Sequence, residues 1–288
     1  MDGILLIDKE KDVTSRDVVN DICHIFNTKK VGHTGTLDPL ATGVLVIAIN
    51  RGLKVVELLT TLDKEYEAKI TLGIETDTLD ITGNILNKTN NVNISNEEID
   101  KILDSFIGDY NMEVPKYSAI KINGKKLYEY ARNNEDIVLP VHLVKIFELK
   151  RISSVEKVNG KYEFSIRCKV SKGTYIRSLV RDICKKLNTI GVMSALNRTK
   201  QGKFLLKDCY KIDDVRQGNY KLLSIKDVVD VKKVELPDNI YKKVINGNKI
   251  ENVYDEEEIL FIKDNKEIAL YEVSKEDKKI LKPKKIFC

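Results

Sequence analysis

One carboxylate sits in a stretch built to hold it still. Residues 32–43, Gly32-His33-Thr34-Gly35-Thr36-Leu37-Asp38-Pro39-Leu40-Ala41-Thr42-Gly43, place Asp38 in a glycine-punctuated turn that runs into the apolar strand Val44-Leu45-Val46-Ile47-Ala48-Ile49. Glycines open backbone conformations closed to other residues, and Pro39 fixes φ directly after the Asp. A carboxylate presented in this way suits nucleophilic or acid–base work. Asp-Pro and Thr-Gly pairs also open turns for purely local reasons, so the loop needs partners before it counts as a site.

Two other chemistries fit poorly. The loop lacks the Gly-Lys-Ser/Thr ending of a P-loop and precedes a strand, where that motif needs a helix. The chain has three histidines, His24, His33 and His142, with no paired metal-ligand spacing and no Cys-x-x-Cys, so no metal is expected.

The elements that must position Asp38 mix helix and strand. Residues 3–8 read as a buried strand, 14–26 as a helix capped by Thr14 with Asp17, 43–49 as a core strand and 53–62 as a helix. Tyr66, Ala68, Ile70 and Leu72 alternate as one face of a half-buried strand. Residues 95–107 form a helix with Ser95 and Glu98 as a second capping box, and Gly108 follows its end. Residues 114–122 and 143–151 read as extended and flank a basic, aromatic-bearing stretch from 121 to 132. Strand 162–170 feeds a helix at 174–187. Beyond 208 the pattern weakens until a β-rich cluster begins near 231, with a helix at 241–245, the turn Asn246-Gly247-Asn248 and strands at 259–263 and 267–273. The class is α+β, with a mixed or antiparallel sheet flanked by helices and a small β-rich C-terminal domain.

At 288 residues the chain has room for one large domain and one small one. Its net charge of +5 suits a phosphate-bearing partner but falls well short of a histone-like binder. Five scattered cysteines without paired spacing, no basic and apolar leader, and no apolar run near the ~18 residues needed to span a bilayer lead to the expectation of a cytoplasmic protein with reduced thiols and no membrane contact.

The loop at residues 32–43 resembles the catalytic-Asp motif of the TruB-type tRNA pseudouridine synthases, and the resemblance extends over about the first 200 residues. Asp63-Lys64-Glu65-Tyr66 is similar to the family's Lys-x-Tyr motif. Pro115-Lys116-Tyr117-Ser118-Ala119-Ile120-Lys121, followed by Gly124-Lys125-Lys126-Leu127-Tyr128-Glu129-Tyr130-Ala131-Arg132, resembles its central insertion. Ser171-Lys172-Gly173-Thr174-Tyr175-Ile176-Arg177-Ser178-Leu179 resembles its arginine motif.

The resemblance implies isomerisation of uridine 55 in the tRNA T loop to pseudouridine, without a cofactor. Asp38 is then the nucleophile, Arg177 its partner, and Tyr66 the ring that stacks on the base. Leu196 is the apolar pocket wall, Tyr175 lies in the arginine motif, and His33 fills the space left by the flipped base. Lys9 stands near the site, and Lys121, Lys125, Lys126, Arg132 and Lys172 meet phosphates of the T arm. The implied organisation is a catalytic domain over 1–229, with a T-arm-binding insertion at about 121–152, and a small PUA-like domain over 230–288, acting as a monomer without a protein partner.

One motif departs from the family pattern. Gly-x-Leu-x-x-x-Lys-Pro-x-Gly-x-Thr-Ser stands here as residues 3–15 with Glu10 and Asp12 in place of Pro and Gly. Asp tolerates positive φ better than most residues, which keeps that turn available. Two rival readings remain: a non-catalytic tRNA-binding or RNA-folding module, and a glycosidase, for which no second carboxylate has a motif behind it.

Overall fold

The computed structural model describes residues 1–133 and 135–288, so one position of the expected insertion, 134, lies outside it. A 10-stranded sheet carries the larger part of the molecule, in the order Gly3–Lys9, Thr42–Ile49, Gly191–Gln201, Lys64–Leu72, Lys161–Val170, Val141–Arg151, Gly108–Glu113, with short strands added beside this path. Neighbours along the path are antiparallel except Thr42–Ile49 and Gly191–Gln201, which run parallel where Asn197 meets Thr42 and Arg198 meets Gly43. The sheet is thus mixed, in agreement with the α+β class.

Strand Thr42–Ile49, beside the edge strand Gly3–Lys9, shows how deeply the sheet is buried at that end. Seven of its eight residues are buried, a continuous apolar run covered on both faces. Helix Ser15–Ile25 begins at Thr14, whose hydroxyl accepts from the Asp17 amide while the Asp17 carboxylate accepts from the Thr14 amide, and its buried stripe Val18, Val19 and Ile22 packs on the sheet. Helix Ile176–Lys186 buries Ile176, Leu179, Val180 and Ile183 in the same core.

Several expectations need correction. Residues 114–120 are not a strand: the chain leaves the sheet after Glu113, the Val114 amide donating to Pro140 O, and only Lys121–Ile122 is extended, paired with Lys125–Lys126. The helix expected at 53–62 is a 3-10 segment, Asn50–Val55, followed by a single helical turn, Val56–Thr60. Ser95 caps helix Asn96–Asp104 by accepting from the Glu98 amide, but the reciprocal half of a capping box is absent among the described contacts. Strand Gly191–Gln201, central in the sheet, has no counterpart in the sequence reading.

Residues 232–286 contribute a second, 5-stranded sheet, which includes Lys232–Glu235, Glu258–Lys263, Lys266–Val273 and Ile280–Ile286. Leu260, Leu270 and Phe287 share an apolar cluster with Ile4, Leu6, Val44 and Val46. Arg51 donates across this contact to Phe287 O and Glu267 O, both at 3.0 Å.

Candidate active site

The loop carrying Asp38 is held from segments far apart in sequence. Ser15, the first residue of its helix and 2% exposed, donates from its hydroxyl to Leu37 O at 3.1 Å and accepts from the Leu37 amide at 2.9 Å. Both backbone polar groups of the residue before Asp38 therefore end on one side chain. On the other flank the Asp12 amide donates to Pro39 O at 2.8 Å. Asp12 occupies φ 64°, the left-handed region that the replaced glycine would favour, so the departure from the family pattern preserves the turn.

Lys9 was expected near the substrate, but it is 1% exposed and cannot reach RNA. Its ammonium donates to Val13 O at 2.6 Å, Glu10 O at 2.8 Å and Pro39 O at 3.4 Å, tying the turn to the Asp38 loop. Burial pushes its pKa down to about 8, against the pull of the Asp38 charge. A buried cation costs less when carbonyls replace its water, and three do so here.

Asp38 itself faces a cleft of about 920 Å3, with its side chain 35% exposed. Arg177, at the second position of helix Ile176–Lys186, is buried behind it and grips both carboxylate oxygens: Nε to Oδ2 at 2.9 Å and Nη2 to Oδ1 at 3.2 Å. The rest of the guanidinium is fixed by Thr78 O at 3.1 Å and Tyr117 O at 3.2 Å. A fork-to-fork pair of this kind sets the carboxylate plane as well as its position.

Strand pairing brings the other wall together. Tyr66 lies opposite Arg198, and Ala68 opposite Leu196, between Lys64–Leu72 and Gly191–Gln201. Tyr66 and Leu196 are each 8% exposed and both line the cleft. Tyr175 and Lys172 line it from the turn before the helix. Burial raises the Tyr175 phenol above its usual value, which keeps it a neutral donor.

The structure thus gathers Asp38, Arg177, Tyr66, Leu196, Tyr175 and Lys172 around one cleft. His33 stands apart from its lining: half-buried at the end of strand Val31–His33, it accepts from the Gly35 amide at 3.3 Å. Burial, then the charges of Arg198 and Arg16, lower its pKa, so the ring is neutral near pH 7. The basic insertion is a small hairpin followed by helix Leu127–Arg132, and here cations cover aromatic rings. Lys125 lies 4.5 Å from the Tyr130 centroid, and Lys126 and Arg132 each 5.3 Å from that of Tyr128. Lys125 is also ion-paired with Glu135, whereas Lys121 is exposed at the hairpin.

Several cleft residues escaped the sequence reading: Lys64, Tyr117, Ser118, Tyr128 and Arg198. Lys64, Tyr117, Ser118 and Tyr128 lie within the family-like motifs and Arg198 lies two residues after Leu196, which was the available signal; what was missing was the packing that turns them inward. A second cleft of about 910 Å3, lined by Tyr110, Arg181, Asp182 and Thr189 among others, holds none of the expected site residues. No cluster of three or more His, Cys, Asp or Glu side chains suited to a metal occurs among the described residues, and no described helix is long and apolar enough to cross a membrane.

Residues 23–176 match the family model described as TruB family pseudouridylate synthase, N-terminal domain. A protein named tRNA pseudouridine synthase B from Caldanaerobacter subterraneus subsp. tengcongensis is 39% identical over 288 residues, covering 100% of this chain and 99% of that protein. One of the same name from Staphylococcus aureus is 38% identical, covering 99% of each. Among solved structures, a Cbf5-Nop10-Gar1 complex aligns with TM-score 0.71 at 22% identity, over 99% of this chain and 85% of the matched chain, a likeness of fold. The chain belongs to the TruB family of pseudouridylate synthases.

Proposed function

We propose that this protein isomerises uridine 55 in the T loop of tRNA to pseudouridine, with Asp38 as nucleophile. The observation that carries the reading is the two-point pair between Asp38 and Arg177 at the floor of a cleft walled by Tyr66 and Leu196. The relatives that match over the full chain bear the name tRNA pseudouridine synthase B.

The reaction breaks the C1′–N1 bond, turns the uracil and joins C5 to C1′, after which the C5 proton leaves and N1, freed from the ribose, carries a proton in its place. Atoms and electrons balance without water, redox or a cofactor, so one carboxylate and a cleft that holds the detached base are enough. The Asp38 carboxylate either displaces N1 at ribose C1′, and is itself displaced when C5 joins C1′, or adds to base C6 and is eliminated again once the new bond is made; Arg177 keeps it aimed. The Tyr66 ring stacks on the base, with its phenol available to the departing proton, while Leu196 limits the space in which uracil turns.

A uridine inside a folded loop reaches Asp38 only when flipped out of it, at a cost in stacking. His33, as a neutral ring, takes up space among the displaced loop bases. Lys121, Lys126, Arg132 and Lys172 meet backbone phosphates, and Lys125 joins them on release from Glu135. In this reading residues 1–229 form the catalytic domain and 230–288 a PUA-like domain; the T-arm grip is the hairpin and helix of residues 121–132, because the rest of the expected 121–152 insertion, Val141–Arg151, is a strand paired on both sides within the large sheet, and the protein works as a cytoplasmic monomer.

The test is tritium release from C5-tritiated uridine in a T-arm transcript, comparing wild type with Asp38→Asn. Release by wild type and none by the variant is the expected result. Wild-type turnover in Asp38→Asn removes the nucleophile assignment, and binding without release by wild type makes the protein a non-catalytic RNA-binding module.

A further inference from the structure

Strand Gly191–Gln201 buries polar side chains where a strand between two neighbours ordinarily buries apolar ones. Arg198 is 1% exposed and heads the chain's fully buried side chains by volume. Its guanidinium is used on backbone carbonyls rather than on a carboxylate: Nε donates to Val44 O at 2.6 Å and Nη2 to Gly35 O at 3.1 Å. Gln201, 0% exposed, donates from Nε2 to Thr34 Oγ1 at 2.6 Å and to Leu59 O at 3.0 Å. Its Oε1 has no partner within the protein.

That orphan acceptor is informative. A buried carbonyl oxygen without a hydrogen bond is costly, and an apolar residue of the same shape avoids the cost. The amide end of Gln201 therefore earns its place through its donors, one of which ends on Thr34, four residues before Asp38. Arg198 acts on the same loop at Gly35 and on the strand after it at Val44. The two side chains hold Thr34 and Gly35, while Ser15 and Asp12 hold Leu37 and Pro39. Gly43 lets the two strands pair this closely beside the loop, since a Cβ there would stand 2.3 Å from the backbone carbonyl of Arg198.

We propose that Arg198 and Gln201 are positioning residues for the reaction: they fix the span from Thr34 to Gly35, and through it the direction in which Asp38 meets Arg177 and the flipped nucleotide. Neither touches the reacting atoms. The proposal rests on the functional reading above. A nucleophile displaced by about 1 Å loses on the order of 100-fold in rate with no loss of substrate binding.

Gln201→Met is the decisive variant, because it removes the donor to Thr34 and the orphan oxygen together at nearly constant shape. Its single-turnover rate on a T-arm transcript is expected to fall roughly 10- to 100-fold, with transcript affinity within about threefold of wild type and only a small fall in unfolding temperature, since loss of the orphan oxygen partly offsets the Thr34 hydroxyl and Leu59 carbonyl left without their donor. Arg198→Lys keeps the charge but cannot span both carbonyls, and shows the same split between rate and affinity. Wild-type rate in Gln201→Met overturns the proposal, as does a rate loss that tracks a large fall in unfolding temperature, the mark of a merely structural role. Should Arg198→Lys fail to fold, Gln201→Met alone decides. Wild-type protein that binds the transcript without turnover overturns the functional reading instead, a result distinct from active variants.

Discussion

Arg177→Met tests the centre of the site with least disturbance of its surroundings. Methionine keeps an unbranched apolar stem and removes the guanidinium, which contacts Asp38 at 2.9 and 3.2 Å and the carbonyls of Thr78 and Tyr117 at 3.1 and 3.2 Å. Each charge-assisted hydrogen bond to Asp38 contributes about 1.5–3 kcal/mol when desolvated, so the pair supplies about 3–6 kcal/mol at most. The Asp38 side chain is 35% exposed, and water takes over part of what the guanidinium gave. About 3–4 kcal/mol then falls on the barrier, because water satisfies the charge without fixing the direction of attack. At about 1.36 kcal/mol per tenfold, the single-turnover rate drops roughly 10²–10³-fold.

Arg177 is buried behind Asp38, so transcript affinity by filter binding is expected to stay within about threefold. Arg177→Lys restores charge but not the fork, and its rate is expected to fall between the two. A rate within threefold of wild type in Arg177→Met, or equal losses in rate and affinity, refutes the reasoning.

Three further outcomes follow from the same geometry. Gly43→Ala combines φ 101° with a Cβ 2.3 Å from Arg198 O, and is expected to cost about 2–4 kcal/mol in urea unfolding; a loss under about 0.5 kcal/mol contradicts the close approach. Folded Lys9 releases its proton near pH 8 and the unfolded residue near 10.5, so the unfolded state binds more protons in that window. The burial cost is fully present below pH 8 and is relieved as pH rises, so wild-type stability should climb relative to Lys9→Met between pH 8 and 10.5, and a constant difference contradicts the assignment. Lys126→Ala and Lys172→Ala should each shallow the slope of log affinity against log salt by about 1, and an unchanged slope marks ordinary surface lysines.

What the sequence revealed and what it hid divide along a physical line. The capping pair Thr14 and Asp17, the apolar stripe of residues 176–187 and the punctuated loop at Asp38 are local signals, legible within a few residues. Strand Gly191–Gln201 was hidden because register shifts at Met193/Ala195 and Arg198/Lys200 break its two-residue period, and because Arg198 and Gln201 occupy inward positions that apolar residues would normally mark. Strand Ile280–Ile286 was hidden by three lysines and Pro283 within seven residues. Lys9 was legible as part of a motif but not in its direction: only the packed turn shows that its ammonium ends on carbonyls.

The same contrast changes the account of why Asp38 is rigid. Pro39 restricts its own φ, but Gly35 adopts no positive φ, so a special glycine conformation there is not the source of order. Order comes from Ser15 on Leu37, from Lys9 and Asp12 on Pro39, and from Arg198 and Gln201 on Gly35 and Thr34, contributed by residues far apart in the chain. The reaction proposed above asks one carboxylate to meet a flipped nucleotide, and it gains most from such redundancy. Each tether lowers the conformational freedom left to Asp38, so in the proposed reaction the entropy of aiming is met during folding rather than at the moment of attack.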